Sequence, residues 1–274
     1  MHGGRRARGR PSGLAREQAV EVEVDIFAPG EKSNPEANIR PLAHGLHTFA
    51  LLLLLVATTA YGHFHAAAIE VSQSRTAEYL SSIVLEWVLF GFVIAGIRRR
   101  REFLQNAFGR NGAGWAQALG VGFASYIAGN VAVALTSGLL YFTPLFHQRN
   151  TGVILALLPH TRLQFALWFA VSLSAGLSEE MIFRGYLQQQ LTAWTKRPVL
   201  AIVLASILFG SVHLYEGLGA ILPLIALALV YGSVARLMKG DLRAVIVAHT
   251  LQDFLIALVV FAKPFMDQYG PHTR

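Results

Sequence analysis

The sequence predicts an all-α fold, a polytopic transmembrane helical bundle of about seven transmembrane helices, and three observations favour it. Of 274 residues, 54% are hydrophobic and only 14% are charged, whereas a soluble domain carries about 25% charged residues. Apolar runs of roughly the 20 residues that span a hydrocarbon core recur along the chain. Lys and Arg cluster between these runs, as they do in the loops of multi-pass membrane proteins.

Each apolar run is predicted to form one helix. The first is short, and the third is long enough to bend or to end outside the bilayer. A further apolar stretch inside the 144–162 connection, GVILALLP, is too short to span, so it either lies in the interface or re-enters. The predicted spans lie near 46–62, 79–97, 113–143, 163–187, 199–215, 219–238 and 243–262.

The N-terminal segment predicts a tail rather than a folded domain. It begins with the basic, Gly-rich MHGGRRARGRPSG and continues as a polar stretch with Pro and Gly, neither of which could bury a core. No apolar stretch follows the basic start until about Leu46, so a signal peptide is not predicted. The predicted divisions are a disordered basic cytoplasmic tail (1–44), N-terminal transmembrane helices (45–150), a second transmembrane domain (160–262) and a short tail (263–274).

The distribution of basic residues predicts the orientation. With the N-terminus inside, 17 Lys and Arg residues lie on the cytoplasmic side and 5 on the other, with Arg184 left within the membrane. The positive-inside rule therefore predicts a multi-pass protein of the plasma membrane with a cytoplasmic N-terminus. The same rule accounts for the net charge of +7, so we expect contact with membrane lipid and no nucleic-acid partner.

Three of the apolar segments carry ionisable groups, which are costly at membrane depth and mark function by default. In SAGLSEEMIFRGYL, Glu180 and Arg184 are four residues apart with the acid first, the favourable order for a helical ion pair. Glu179 points about 100° away from its neighbour, so it is either protonated or faces water, a metal or a histidine. The competing interpretation is that all three form one structural charge cluster.

His213, in LFGSVHLY, lies four residues after Phe209, so the phenyl ring can pack beside the imidazole. Glu179 lies 15 residues before Trp194, and His213 lies 15 after Pro198, so an antiparallel hairpin places them at matching height, roughly 22 Å from the turn. A lone His near a helix end is more often structural than functional.

His249 and Asp253, in IVAHTLQDF, share one helix face four residues apart. Such a pair fixes an imidazole tautomer or presents two metal ligands, unless it joins helices as a polar contact. His249 is about 9 Å from the preceding turn, KGDLR, and so lies less deep than His213. The three segments therefore meet only if the hairpin at 194–198 protrudes or a helix is irregular. Glu86 in the second run either lines the same cavity or bonds a neighbouring helix.

The patterns Glu-Glu-x-x-x-Arg at 179–184, Phe-x-x-x-His at 209–213 and His-x-x-x-Asp at 249–253 resemble, in order and spacing, the motifs of the CPBP family. This family includes the type II CAAX prenyl endopeptidases and bacteriocin-processing or immunity proteins, and it is also called the abortive-infection family. The resemblance covers roughly residues 160–260. It implies an all-helical intramembrane endopeptidase that cuts a membrane-associated protein or peptide.

Carried over by motif position, the resemblance implies that Glu179 activates water, that Glu180 and Arg184 support it, and that His213 and His249 complete the site. The last position is Asn or Asp in the family and is Asp253 here. An amide could donate a hydrogen bond to an oxyanion, whereas an ionised carboxylate only accepts. Asp253 is therefore expected to orient His249 or to ligate a cation.

The residues permit two forms of peptide hydrolysis. With no cysteine in the chain, a metal would rely on His, Asp and Glu, and Glu179, His213 and His249 could hold Zn²⁺ with one position open for water. In the other form Glu179 takes the proton from water and the histidines hold water and oxyanion. A metalloprotease is slightly favoured. The alternative function is a non-enzymatic bacteriocin-immunity factor or a proton-coupled membrane transporter, for which ionisable residues spread across the bilayer would be expected.

Overall fold

The computed structural model describes residues 40–71, 74–109 and 114–269, with side chains up to residue 258 apart from those of residues 70 and 71. Most of the predicted tail 1–44, and residues 270–274 of the predicted tail 263–274, lie outside the described residues. Within the described part all regular secondary structure is helical, so the all-α class is confirmed.

The helices follow the predicted apolar runs, with some differences in length. The first helix has 27 residues and is longer than expected, and the last continues to Tyr269, beyond the predicted end at 262. Short 3₁₀ turns occupy Pro144–His147 and Leu214–Glu216. The helices are α1 (Gly45–Val71), α2 (Arg75–Gly96), α3 (Arg100–Ala107), α4 (Trp115–Leu140), α5 (Thr151–Leu157), α6 (Arg162–Glu180), α7 (Gln188–Thr195), α8 (Pro198–Val212), α9 (Leu218–Leu237) and α10 (Arg243–Tyr269).

Several of these helices are long and apolar enough to cross a membrane, which confirms a polytopic helical bundle. By length and composition, five candidate spans lie among the described residues. The helix α8 has 15 residues, about 22 Å at 1.5 Å per residue, which is shorter than a hydrocarbon core. The side chains of α10 are described only to residue 258. The five are Gly45–Ile69, Arg75–Gly96, Trp115–Leu140, Arg162–Thr195 and Leu218–Leu237.

The span from Arg162 to Thr195 is continuous but irregular. It begins at Thr161, whose side chain accepts a hydrogen bond from the backbone N–H of Gln164, and it changes to π-helix over Met181–Leu187 before α7. All seven residues of this π segment are buried. Widened turns of this kind are rare and frequently occur at functional sites. Of the two conditions under which the sequence allows its three polar segments to meet, a protruding hairpin or an irregular helix, the second is found directly after Glu180.

A tight turn and one close helix contact fix how the polar segments meet. Lys196 adopts a left-handed conformation (φ 55°) that ends α7, and Pro198 starts α8, where its fixed φ and missing N–H suit a first helical turn. Gly176 lies against α10, where a Cβ atom would collide with Thr250 Oγ1. A glycine here lets the two backbones approach closely, one turn before the paired glutamates.

Candidate active site

The hairpin of α7 and α8 brings Glu179 and His213 to the same height, as their equal distances from the turn predicted. The Nε2 atom of His213 lies 4.0 Å from Glu179 Oε2. His213 itself directly follows the last residue of α8. Because the two arms of the hairpin are antiparallel helices, residues equally far from the turn become neighbours.

One ring nitrogen of His213 is held by the backbone. Its Nδ1 is 2.8 Å from the carbonyl oxygen of Phe209, and a carbonyl can only accept. Nδ1 is therefore the N–H donor, which directs Nε2 towards Glu179. The phenyl ring of Phe209 lies 4.7 Å from the imidazole, which confirms the predicted packing of these two side chains.

Glu180 is the centre of a buried network. Its Oε1 accepts a hydrogen bond from Arg184 Nη1 at 2.8 Å and lies 2.7 Å from His249 Nδ1. The first contact confirms the pairing predicted from the four-residue spacing. Glu180 is fully buried, and an ionised group at such a site needs a paired, hydrogen-bonded partner. Arg184 also places its guanidinium 4.4 Å from the centre of the Phe209 ring, a favourable cation–π distance.

The second nitrogen of His249 faces two further carboxylates. His249 Nε2 is 3.5 Å from Asp253 Oδ2 and 4.0 Å from Glu179 Oε2. The Nε2 atoms of both histidines therefore approach the same oxygen of Glu179. That oxygen is buried and has no hydrogen-bond partner among the described residues. A gap of 4.0 Å is too long for a direct hydrogen bond and suits a bridging water molecule.

The helices that carry this cluster correspond to a known family. Residues 161–255 match the family model described as Type II CAAX prenyl endopeptidase Rce1-like. This part of the chain is a domain of the CPBP family. A search of the curated proteins and of the solved structures finds no match. Membership of the CPBP domain in this family implies an intramembrane protease, and hence a protein or peptide substrate.

The CPBP domain brings together all the site residues expected from the sequence, namely Glu179, Glu180, Arg184, His213, His249 and Asp253. Two features were not foreseen. Glu180 binds His249 as well as Arg184, and the ring of Phe209 packs against Arg184 and both histidines. The sequence signal for Phe209 was its four-residue spacing from His213. No local sequence pattern indicates the contact between Glu180 and His249, which are 69 residues apart.

The donor atoms of Glu179, His213 and His249 are those that zinc prefers. Both histidines also have Nδ1 against an oxygen, as metal-bound histidines usually do. Within the described residues, however, no group of three or more His, Asp or Glu side chains is arranged to hold a metal ion. The arrangement does not fit zinc as it stands, and we derive no step through a metal.

Proposed function

We propose that the protein is an intramembrane endopeptidase in which Glu179 activates a water molecule to hydrolyse a peptide bond of a membrane-associated protein or peptide. One observation carries this proposal: the unpartnered Oε2 of Glu179 faces Nε2 of both His213 and His249. A carboxylate with two imidazoles around it can accept one proton of a water while the imidazoles hold the other.

The hydrogen bond at Nδ1 of each histidine determines the role of its Nε2 atom. Because Nδ1 donates to Phe209 O in His213 and to Glu180 Oε1 in His249, an imidazole in its neutral form presents the Nε2 lone pair to Glu179. A water between these groups donates one O–H to Glu179 and the other to an Nε2 atom. Its oxygen lone pairs are then free to attack a carbonyl carbon.

In the proposed reaction, Glu179 moves one proton from the attacking water to the leaving nitrogen. The water oxygen bonds to the carbonyl carbon while its proton passes to Glu179, which gives a tetrahedral intermediate with a negative oxygen. Glu179 then returns the proton to the leaving nitrogen, the C–N bond breaks, and the products are a carboxylic acid and an amine. A positioned general base of this kind contributes about 10²–10⁴-fold.

The remaining residues of the network hold this arrangement in place. Arg184 neutralises Glu180, and Glu180 fixes the tautomer of His249. Asp253, whose Oδ2 lies 3.5 Å from His249 Nε2, stabilises the protonated form of the same ring. These roles require no contact with the substrate, so we assign the network to positioning and Glu179 to the chemistry.

The test is cleavage by the purified protein in liposomes, with mass spectrometry of transmembrane peptides and of farnesylated and unmodified CAAX peptides as probes. Glu179→Gln keeps the shape of the side chain but cannot take a proton, so we expect kcat to fall about 10²–10⁴-fold. The control is Glu102→Gln, since Glu102 is an exposed glutamate of α3. If Glu179→Gln cleaves at the parental rate, the proposed base is wrong. A chelator that abolishes parental cleavage would instead support zinc held by Glu179, His213 and His249.

We also propose the plasma membrane as the location, with a cytoplasmic N-terminus. Reporter fusions in the 144–162 connection and after residue 274 should both report the non-cytoplasmic side, because the chain would cross the membrane seven times. A cytoplasmic C-terminus would mean that one segment, with the short α8 the first candidate, does not span.

A further inference from the structure

Glu86 lies on α2, outside the CPBP domain, yet it belongs to the surroundings of the active site. Its Oε2 accepts a hydrogen bond of 2.5 Å from the hydroxyl of Ser174, which lies on α6 five residues before Glu179. Its carboxyl group also interacts electrostatically with Glu179, Asp253 and His249. The second transmembrane helix therefore presents an acid to the same centre as the CPBP domain.

The partners of Glu86 differ from those of the other acids in the centre. Glu179, Glu180 and Asp253 each have a histidine or arginine nitrogen within 4.0 Å. For Glu86, among the residues that the structure describes, the close partner is a serine hydroxyl, and no Lys, Arg or His nitrogen forms an ion pair with it. An acid without a basic partner in apolar surroundings favours its uncharged form, and an uncharged carboxyl group can donate a hydrogen bond.

The proposed reaction needs such a donor. The negative oxygen of a tetrahedral intermediate must be met by hydrogen-bond donors. Nε2 of a neutral His213 is an acceptor, because Nδ1 carries the proton, and Nε2 of His249 already faces the carboxyl groups of Asp253 and Glu179. Asp253 accepts when it is ionised, and Arg184 is engaged with Glu180 and stacked on Phe209. The centre therefore has several acceptors, and most of its donors already face a carboxyl group.

We propose that Glu86 is a further catalytic residue, whose carboxyl group donates a hydrogen bond to the oxyanion while Ser174 holds it in orientation. This inference rests on the proposed endopeptidase activity. Because Ser174 donates to Oε2, Oε1 is the oxygen that carries the proton of the uncharged carboxyl group and donates it to the oxyanion. α2 is then part of the enzyme rather than a membrane anchor for the CPBP domain.

The proposal is tested with Glu86→Gln, Glu86→Leu and Ser174→Ala in the same liposome assay. Glu86→Leu removes the donor, so kcat should fall about 10²-fold with little change in KM, as for loss of one oxyanion donor. Glu86→Gln keeps an N–H donor and should stay within about threefold of the parent. Ser174→Ala should lie between them. Glu78→Gln, on the same helix, is the matched control. Parental kcat in Glu86→Leu, or an equal loss in Glu86→Gln and Glu86→Leu, would overturn the donor role.

A second measurement needs no substrate and separates this inference from the proposed function. Infrared difference spectra of the parent against Glu86→Gln at pH 7 should contain the carbonyl band of one uncharged carboxyl group. A spectrum with only carboxylate bands would overturn the inference even if Glu179→Gln is inactive. Conversely, normal cleavage by Glu179→Gln would overturn the proposed base and leave the infrared result to decide the state of Glu86.

Discussion

The N-terminal helices and the helices of the CPBP domain are similar in apolarity but differ in what surrounds them. In the most apolar windows of α1 and α2, 17% and 11% of the residues are buried inside the protein, against 44% in the span Arg162–Thr195 and 44% in α9. Most apolar side chains of α1 and α2 are therefore available to lipid, whereas those of the domain contact protein.

This difference explains where ionisable groups can be held. The span from Arg162 to Thr195 buries Glu180 and Arg184 among other helices, which supply His249 and Phe209 as partners. Hydrocarbon supplies no partner for a charge, so a helix that faces lipid can hold an acid only on the side that faces protein. Glu86 fits this rule, since it bonds Ser174 of α6. The comparison predicts that equivalent substitutions cost more in the domain than on the lipid-facing sides of α1 and α2.

The largest loss of stability is expected at the buried ion pair. Arg184→Ala leaves Glu180 without its arginine, and breaking a buried pair costs about 3–5 kcal/mol. Arg99→Ala is the control, because Arg99 is exposed and its pair with Glu102 lies at the surface. Thermal unfolding in detergent measures both. An Arg184→Ala protein as stable as Arg99→Ala would show that the buried network does not hold the domain together.

Two leucines of α1 give a test within one helix. Leu51 is 0% exposed and Leu53 is 55% exposed. Leu51→Ala should lower the free energy of unfolding by about 2–5 kcal/mol because it leaves a cavity. Leu53→Ala should change it by less than about 0.5 kcal/mol, since its side chain contacts little protein. Equal effects of the two substitutions in denaturant titrations in micelles would contradict the assignment of a protein-facing side to α1.

The smallest effect expected on stability concerns helix contact rather than charge. Gly176→Ala places a methyl group against Thr250 and should cost about 1–3 kcal/mol through overpacking. It should also lower cleavage, because α6 and α10 carry Glu179 and His249. Gly120→Ala is the matched control, since a Cβ atom there meets nothing within 4 Å. The free energy of unfolding and the cleavage rate of the two variants are compared. A Gly176→Ala protein that matches Gly120→Ala in both would show that α6 and α10 can move apart without loss of stability.

The sequence could predict much of this molecule because its strongest signals are local or depend on a short hairpin. Apolar length predicts the five candidate spans found among the described residues. Four-residue spacing predicts the pairs Glu180–Arg184 and Phe209–His213, and distance from the turn at Lys196 predicts that Glu179 and His213 lie at the same height. These predictions need only helical geometry, since the partners are one turn apart or symmetric about a turn.

Contacts between distant segments depended on the tertiary structure. The π segment at Met181–Leu187, the bond from His249 to Glu180 and the bond from Ser174 to Glu86 arise from how α2, α6 and α10 pack. No spacing rule connects residues 69 or 88 positions apart, and the close approach at Gly176 is visible only when its neighbour Thr250 is placed. The sequence by itself determined which residues must avoid lipid. Helix packing decided which of these residues contact each other, because a buried charge can pair only with side chains on the helices that surround it.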